Sequence, residues 1–181
     1  MLKSKFERPV IRSKIIERPR LMQLLQENAD KSVFVVSAPA GFGKSVVIRQ
    51  WIKQQVYPTA WVSLGTPQNN LSSFLAHLVK AFRQFEPDSL EKVLQVSRKP
   101  NGRSLSAIAD VLSNDIQAVD KPLYLVLDNY HFISDSDVHT LVKSLLDYPP
   151  KLLRLVLITR SDPPLGLSRL RLYDRLLDIS R

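Results

Sequence analysis

The 181-residue sequence contains no cysteine. That excludes disulfide scaffolds, Cys-ligated zinc, iron–sulfur clusters and thiol catalysis. It has only three histidines, His77, His131 and His139, too few for a His-rich metal site. No apolar run approaches the roughly 18 residues that a membrane span needs. The N-terminal stretch has positive charge but lacks both the apolar segment of about 7–15 residues and the small-residue cleavage site of a secretory signal. These absences point to the cytoplasm as the expected compartment. There is also no internal repeat and no low-complexity segment.

What is present describes a folded α/β domain. Hydrophobic residues make up 44% and charged residues 24% of the chain, which suits a packed core rather than disorder. The net charge of +9 is uneven. Residues 1–20 carry seven basic and two acidic groups, residues 151–181 carry seven and three, and the middle is neutral. Basic ends around a neutral middle fit one polyanionic ligand better than a coat for nucleic acid. Along the chain, short apolar β-rich runs alternate with segments of helical spacing. Strands are expected at 32–37, 59–63, 122–128 and 152–159, with a fifth at 175–179. Helices are expected from Pro19, from Lys44 to about Gln55, over 71–82, 105–116 and 138–146, and at 167–173. In the first of these, Leu21, Leu24 and Leu25 fall on one face. Residues 87–103, polar and carrying Pro100-Asn101-Gly102, read as a loop. Strands that are apolar throughout and separated by helices indicate a parallel sheet covered on both faces, with ligands outside its carboxyl ends. The expected organisation is a lead-in with a short helix over residues 1–30 and a core over 31–181.

The polar signals fall at those strand ends. Ala38-Pro39-Ala40-Gly41-Phe42-Gly43-Lys44-Ser45 sits between a strand and a helix. It matches the last three positions of the phosphate-binding G-x-x-x-x-G-K-[ST] loop, with Ala38 in the first. Gly41 and Gly43 permit the backbone angles that turn successive N–H groups inward. The helix start, Lys44 to Val46, adds free N–H groups and a positive dipole end. Lys44 supplies a mobile charge for phosphates, and the Ser45 hydroxyl is a ligand for Mg²⁺. Leu123-Tyr-Leu-Val-Leu-Asp128 is a buried strand ending on an acid. Beside a phosphate loop, Asp128 is the expected partner of Mg²⁺; otherwise it is a loop or cap acid. Asn129 stands where many hydrolysing relatives of such strands carry a second acid, and an amide cannot serve as a carboxylate base. Arg160 ends the fourth strand, where an arginine can contact a γ-phosphate; the alternative is a surface arginine. Asp128, Arg160 and, doubtfully, Asn129 are therefore the candidate catalytic residues. His131 is as well explained by contacts with loop backbone and is assigned no catalysis. Trp51 and Trp61 have the spacing of core residues.

Taken in order, Ala-Pro-Ala-Gly-Phe-Gly-Lys-Ser, Ala-Trp-Val-Ser-Leu, Leu-Val-Leu-Asp-Asn-Tyr-His and Ile-Thr-Arg-Ser-Asp-Pro-Pro-Leu-Gly-Leu-Ser-Arg-Leu-Arg resemble one family. It is the nucleotide-binding domain of the large ATP-binding LuxR-type regulators, the MalT-like group of STAND P-loop NTPases. The resemblance implies a three-layer P-loop NTPase fold with about five mainly parallel strands. It implies ATP or ADP with Mg²⁺ as ligands, and places Arg18 beside the base or sugar. It implies a regulatory switch of a bacterial transcription activator with slow or no hydrolysis. Inducer binding, self-association and DNA binding would belong to winged-helix, helical-repeat and helix-turn-helix domains not found in these 181 residues, so an excised domain is the expectation. The competing readings are a P-loop enzyme proper, a kinase or remodelling ATPase, and a nucleic-acid binder using the basic ends.

Overall fold

The computed structural model describes residues 19–98 and 104–180. Five strands form one sheet: β1 (Val33–Ser37), β2 (Thr59–Ser63), β3 (Leu123–Asp128), β4 (Leu153–Thr159) and β5 (Leu176–Ser180), in the spatial order β2-β3-β4-β1-β5. Every pairing is parallel. Among the described residues seven α-helices accompany it: α1 (Pro19–Glu27), α2 (Lys44–Lys53), α3 (Leu71–Phe82), α4 (Glu91–Ser97), α5 (Leu105–Gln117), α6 (Ser136–Asp147) and α7 (Ser168–Leu172).

β1, β3 and β4 are almost wholly apolar because each faces a core on both sides, the departure before their final residues being Arg154, whose Nε donates to the Ala29 carbonyl at 3.1 Å. Val33 and Val35 of β1, Leu123, Leu125 and Leu127 of β3, and Leu153, Leu155 and Leu157 of β4 point into the larger core, which α3 to α7 cover. Their alternates Phe34, Val36, Tyr124, Val126, Val156 and Ile158 point into a smaller core under α1 and α2. Side chains alternate across a strand, so a run without polar breaks is what two buried faces require. Trp51 and Trp61 both belong to the smaller core, Trp51 fully buried and edge-on to Tyr124 at 5.3 Å.

Four expectations need correction. Residues 91–97 are not loop but helix α4, whose Val93 and Val96 join the larger core. Two apolar contacts on one turn and the Asp115 carboxylate, which accepts from the Val93 N–H at 3.0 Å, hold a helix too short to announce itself in sequence. On α1 the buried residues are Met22 and Leu25, while Leu24 is exposed. The apolar stripe is wider than the core it covers, and its excess has another use. Helix α2 stops at Lys53, two residues before Gln55, and β5 begins at Leu176 rather than at Arg175. Pro100-Asn101-Gly102 and residues 1–18 lie outside the described residues.

Register carries the fold to the site. Ser37 pairs with Thr159 and with Ser180, and Ser63 pairs with Asp128. All five strands therefore end nearly level, and the loops that follow β1, β3 and β4 share one edge of the sheet.

Trp51→Ala should lower stability by about 3–5 kcal/mol, the usual loss for a large aromatic in a close-packed core. Val56→Ala, at a side chain 90% exposed, should change it by less than about 0.5 kcal/mol. Urea titration of both variants checks the pair.

Candidate functional site

The loop from Ala38 to Gly43 leaves β1 and turns into α2. Gly41 (φ 84°) and Gly43 (φ 69°) both hold left-handed backbone, which side chains disfavour. Space for a Cβ exists at each, with nothing within 4 Å, so the glycines serve backbone conformation and an open concave face. Ala38 is buried and its N–H donates to the Thr159 carbonyl at 3.3 Å. Ala38 thus ties the loop's start to the end of β4. Pro39, Ala40, Gly41, Phe42 and Gly43 are exposed, and Lys44, Ser45 and Val46 are half-buried at the start of α2.

Lys44 folds back over the loop. Its Nζ donates to the Ala38 carbonyl at 2.5 Å and the Pro39 carbonyl at 2.9 Å. Burial lowers the Lys44 pKa, the Arg160 charge lowers it further, and Asp128 partly offsets both. The Ser45 hydroxyl donates to Asp128 Oδ1 at 2.8 Å. This bond crosses β4, because β4 is the strand between β1 and β3. It brings together two oxygen groups from positions 83 residues apart, a hard-donor pair of the kind Mg²⁺ takes. Asp128 is 3% exposed. Burial raises its pKa, against the bonds from Ser45 and the Asn129 N–H and the charges of Arg49 and Lys44.

Asn129 follows in left-handed backbone (φ 61°), a conformation that asparagine tolerates better than most residues. Arg160 is exposed at the end of β4. His131 stands on a single 3₁₀ turn, Tyr130–Phe132. Both its ring nitrogens are buried without a hydrogen-bond partner among the described residues. Burial first, then the charges of Arg160 and Lys44, depress its pKa, so the ring is neutral at physiological pH. The expectation that loop backbone satisfies His131 is therefore not met.

Two features were not read from the sequence. Arg49, on the buried side of α2, is 4% exposed and stacks over the Trp61 ring at 4.2 Å. Its charge reaches Asp128. A cavity of about 520 Å³ also opens beside the loop, between α1 and the edge strand β5. Leu21 and Leu24 of α1, Phe42 and Lys44 of the loop, and Asp178 and Ser180 of β5 are among its walls. The apolar residues of α1 that exceed the needs of the core are thus cavity wall. Arg18 lies outside the described residues; Pro19, its neighbour in sequence, lines the cavity. Among the described residues no group of three or more His, Asp or Glu side chains forms a metal cluster, and no helix is long and apolar enough to cross a membrane.

Comparison with known proteins follows this geometry. The AAA ATPase domain family matches residues 9–158. The HTH-type transcriptional regulator MalT of Yersinia enterocolitica is 34% identical over 179 residues, 99% of this chain and 20% of that protein. The MalT of Yersinia pestis is 32% identical over the same shares. This chain spans about a fifth of the length of the curated relatives it matches. A STAND protein with a tetratricopeptide repeat sensor from Pyrococcus horikoshii superposes with a TM-score of 0.67 at 16% identity, over 99% of this chain and 24% of that one. Cdc6p of Pyrobaculum aerophilum gives 0.61 at 14% identity, over 96% and 48%. These last two likenesses concern the fold, which is that of P-loop NTPases.

A carboxylate whose pKa is raised by folding stabilises the protein most when protonated, and that contribution fades as pH rises through the folded-state pKa. At pH 7 the ionised Asp128 therefore weighs against folding. Asp128→Asn should therefore raise the ligand-free melting temperature at pH 7. The difference should shrink as pH falls through the carboxylate range, as differential scanning fluorimetry across pH would report.

Proposed function

Because this chain belongs to the AAA ATPase domain family, we propose that it is an adenine-nucleotide-binding switch module of a cytoplasmic, signal-responsive transcription regulator, with slow or no hydrolysis. The observation that carries this reading is the Ser45–Asp128 hydrogen bond beside the Gly41–Lys44 loop. A phosphate loop, its lysine, and a hydroxyl–carboxylate pair for a cation converge there from separate strands.

Ser45 and Asp128 would hold Mg²⁺, which supplies charge neutralisation to the phosphates. Backbone N–H groups from Ala40 to Val46 would bind phosphate oxygens, aided by the N-terminus of α2, with Ala38 and Pro39 shaping the start of the loop. Lys44 exchanges its two carbonyl partners for phosphate oxygens, a gain because a charge-assisted bond to an anion is the stronger one. Arg160 contacts the third phosphate. A nucleoside diphosphate lacks that contact, and a ligand shifts an equilibrium only by its differential affinity for two states. The third phosphate is therefore the signal. His131, neutral and with unpartnered nitrogens, faces the same charges and is a hydrogen-bond partner for that phosphate or its water. Asn129 cannot accept a proton as a carboxylate does, which keeps turnover slow. The base and sugar would occupy the cavity between α1 and β5, against Leu21 and Leu24; a role for Arg18 toward them rests on the family resemblance alone. Preference for adenine rests on similarity to the MalT regulators, as do inducer binding, self-association and DNA binding by other regions.

A kinase lid built from Arg169, Arg171 and Arg175 is disfavoured. Arg171 pairs with Asp178 at 2.5 Å, the Arg175 Nε donates to the Ser32 hydroxyl at 3.3 Å, and Arg169 lies over the Tyr173 ring. All three are engaged within this part of the structure.

With Mg²⁺, ATP or ADP at about 100 times its dissociation constant should stabilise the domain by about 2.7 kcal/mol. GTP should not, and Lys44→Ala should abolish the effect. Thermal unfolding with each nucleotide checks this, and equal shifts for the variant would overturn the assignment of Lys44.

A further inference from the structure

We infer that Asn69 is a positioning residue for the loop that follows β3, and that through this loop it sets the discrimination between nucleoside tri- and diphosphate. The inference rests on the nucleotide-switch reading above.

Gln68, Asn69 and Asn70 look like an undifferentiated polar loop in sequence. Their side chains do three different things. Gln68 is buried and its Nε2 lies 3.1 Å from His77 Nε2 on α3. Asn70 caps α3, accepting from the Ser73 N–H at 2.9 Å. Asn69 reaches out of its own crossover altogether. Its Oδ1 accepts from the backbone N–H groups of Ser134 and Asp135, both at 2.8 Å. Its Nδ2 donates to the Ser134 hydroxyl, also at 2.8 Å. One half-buried amide thus makes three hydrogen bonds to residues 65 and 66 positions away.

The clamped segment runs from Asp128 to Asp135 and includes Asn129 and His131. It is held at its start by β3 and by the Leu64 N–H, which donates to the Asp128 carbonyl at 2.8 Å. In its middle Tyr130 is buried, with its hydroxyl 2.8 Å from His139 Nδ1 on α6. At its end Asp135 caps α6 through the N–H groups of Asp137 and Val138. The hydrogen bonds of the Tyr130 hydroxyl and of the Asp135 carboxylate lie within the β3–α6 unit. The Asn69 clamp ties the far end of the loop to the β2–α3 crossover. Without it, the N–H groups of Ser134 and Asp135 lose this acceptor, and the turn that carries His131 keeps only core packing and the hydrogen bonds of its β3 end and of α6. A group meeting only the third phosphate then loses its placement, while the cradle from Ala38 to Ser45 is untouched.

The test compares wild type, Asn69→Ala and Asn69→Asp. Dissociation constants for Mg²⁺·ATP and Mg²⁺·ADP are measured by displacement of a fluorescent nucleotide. Asn69→Ala should weaken ATP at least about fivefold while ADP changes by less than about twofold, the lower range of a coupling between two sites. Asn69→Asp keeps an oxygen for both N–H groups and should restore the wild-type ATP-to-ADP ratio. An unchanged ratio in Asn69→Ala, or no rescue by Asn69→Asp, overturns the inference and leaves the switch reading standing. Absence of nucleotide binding by wild type overturns both. Should Asn69→Ala fail to fold, amide hydrogen exchange on the wild-type chain decides: ATP should slow exchange at Ser134 and Asp135 more than ADP does, and equal protection overturns the role.

Discussion

A strand buried on both faces has no room along its length for an unpaired polar side chain, because burying one without a partner is costly. In this chain β1, β3 and β4 are all of that kind. Apart from Arg154, whose Nε donates to the Ala29 carbonyl, their polar residues gather where the apolar run stops: Ser37 and Thr159, paired in the register, and Asp128 within one position of them. Parallel pairing then turns every such end the same way. The loop of Lys44, the carboxylate of Asp128 and the guanidinium of Arg160 are neighbours because the hydrophobic pattern leaves them no other edge.

The same geometry explains the electrostatics. Lys44 and Arg160 stand together with a neutral His131, and each cation depresses the proton affinity of its neighbours. Asp128 is the carboxylate that answers them, and burial opposes its charge. The site is a partly desolvated cluster with more positive than negative charge. Such a cluster is relieved by a polyanion, and the curled Lys44 side chain, satisfied by the carbonyls of its own loop, is how the domain holds that charge meanwhile.

The strands, the loop between β1 and α2, and the core faces of α2, α3, α5 and α6 were legible in the sequence. Each is written in local periodicity or in a short glycine-bearing motif. Helix α4 was not, because one turn of apolar residues carries no periodic signal and its N-terminus depends on Asp115 from another helix. Leu24 was legible only as part of an apolar helix face, since hydrophobicity does not say whether a side chain meets protein or a cavity. Arg49 sat unremarked on an apolar face because its partner, the Trp61 ring, belongs to β2. The Asn69 clamp was invisible for the same reason. Its meaning lies in a loop 65 residues downstream, and no local pattern encodes a bond of that span.

The central strand has a further consequence for the order in which the chain can assemble. β1 is made early, yet its two neighbours in the sheet, β4 and β5, both lie more than 100 residues downstream. During synthesis β1 emerges with neither edge partner in existence. Long-range parallel pairing of this kind is slow to form, and the cavity wall supplied by Asp178 and Ser180 is made after the loop and α1 that face it. A nascent chain can therefore display the whole glycine-lysine motif over more than 100 residues of synthesis before the strands that flank β1 exist. The motif becomes a cradle only when the last strand closes against the first.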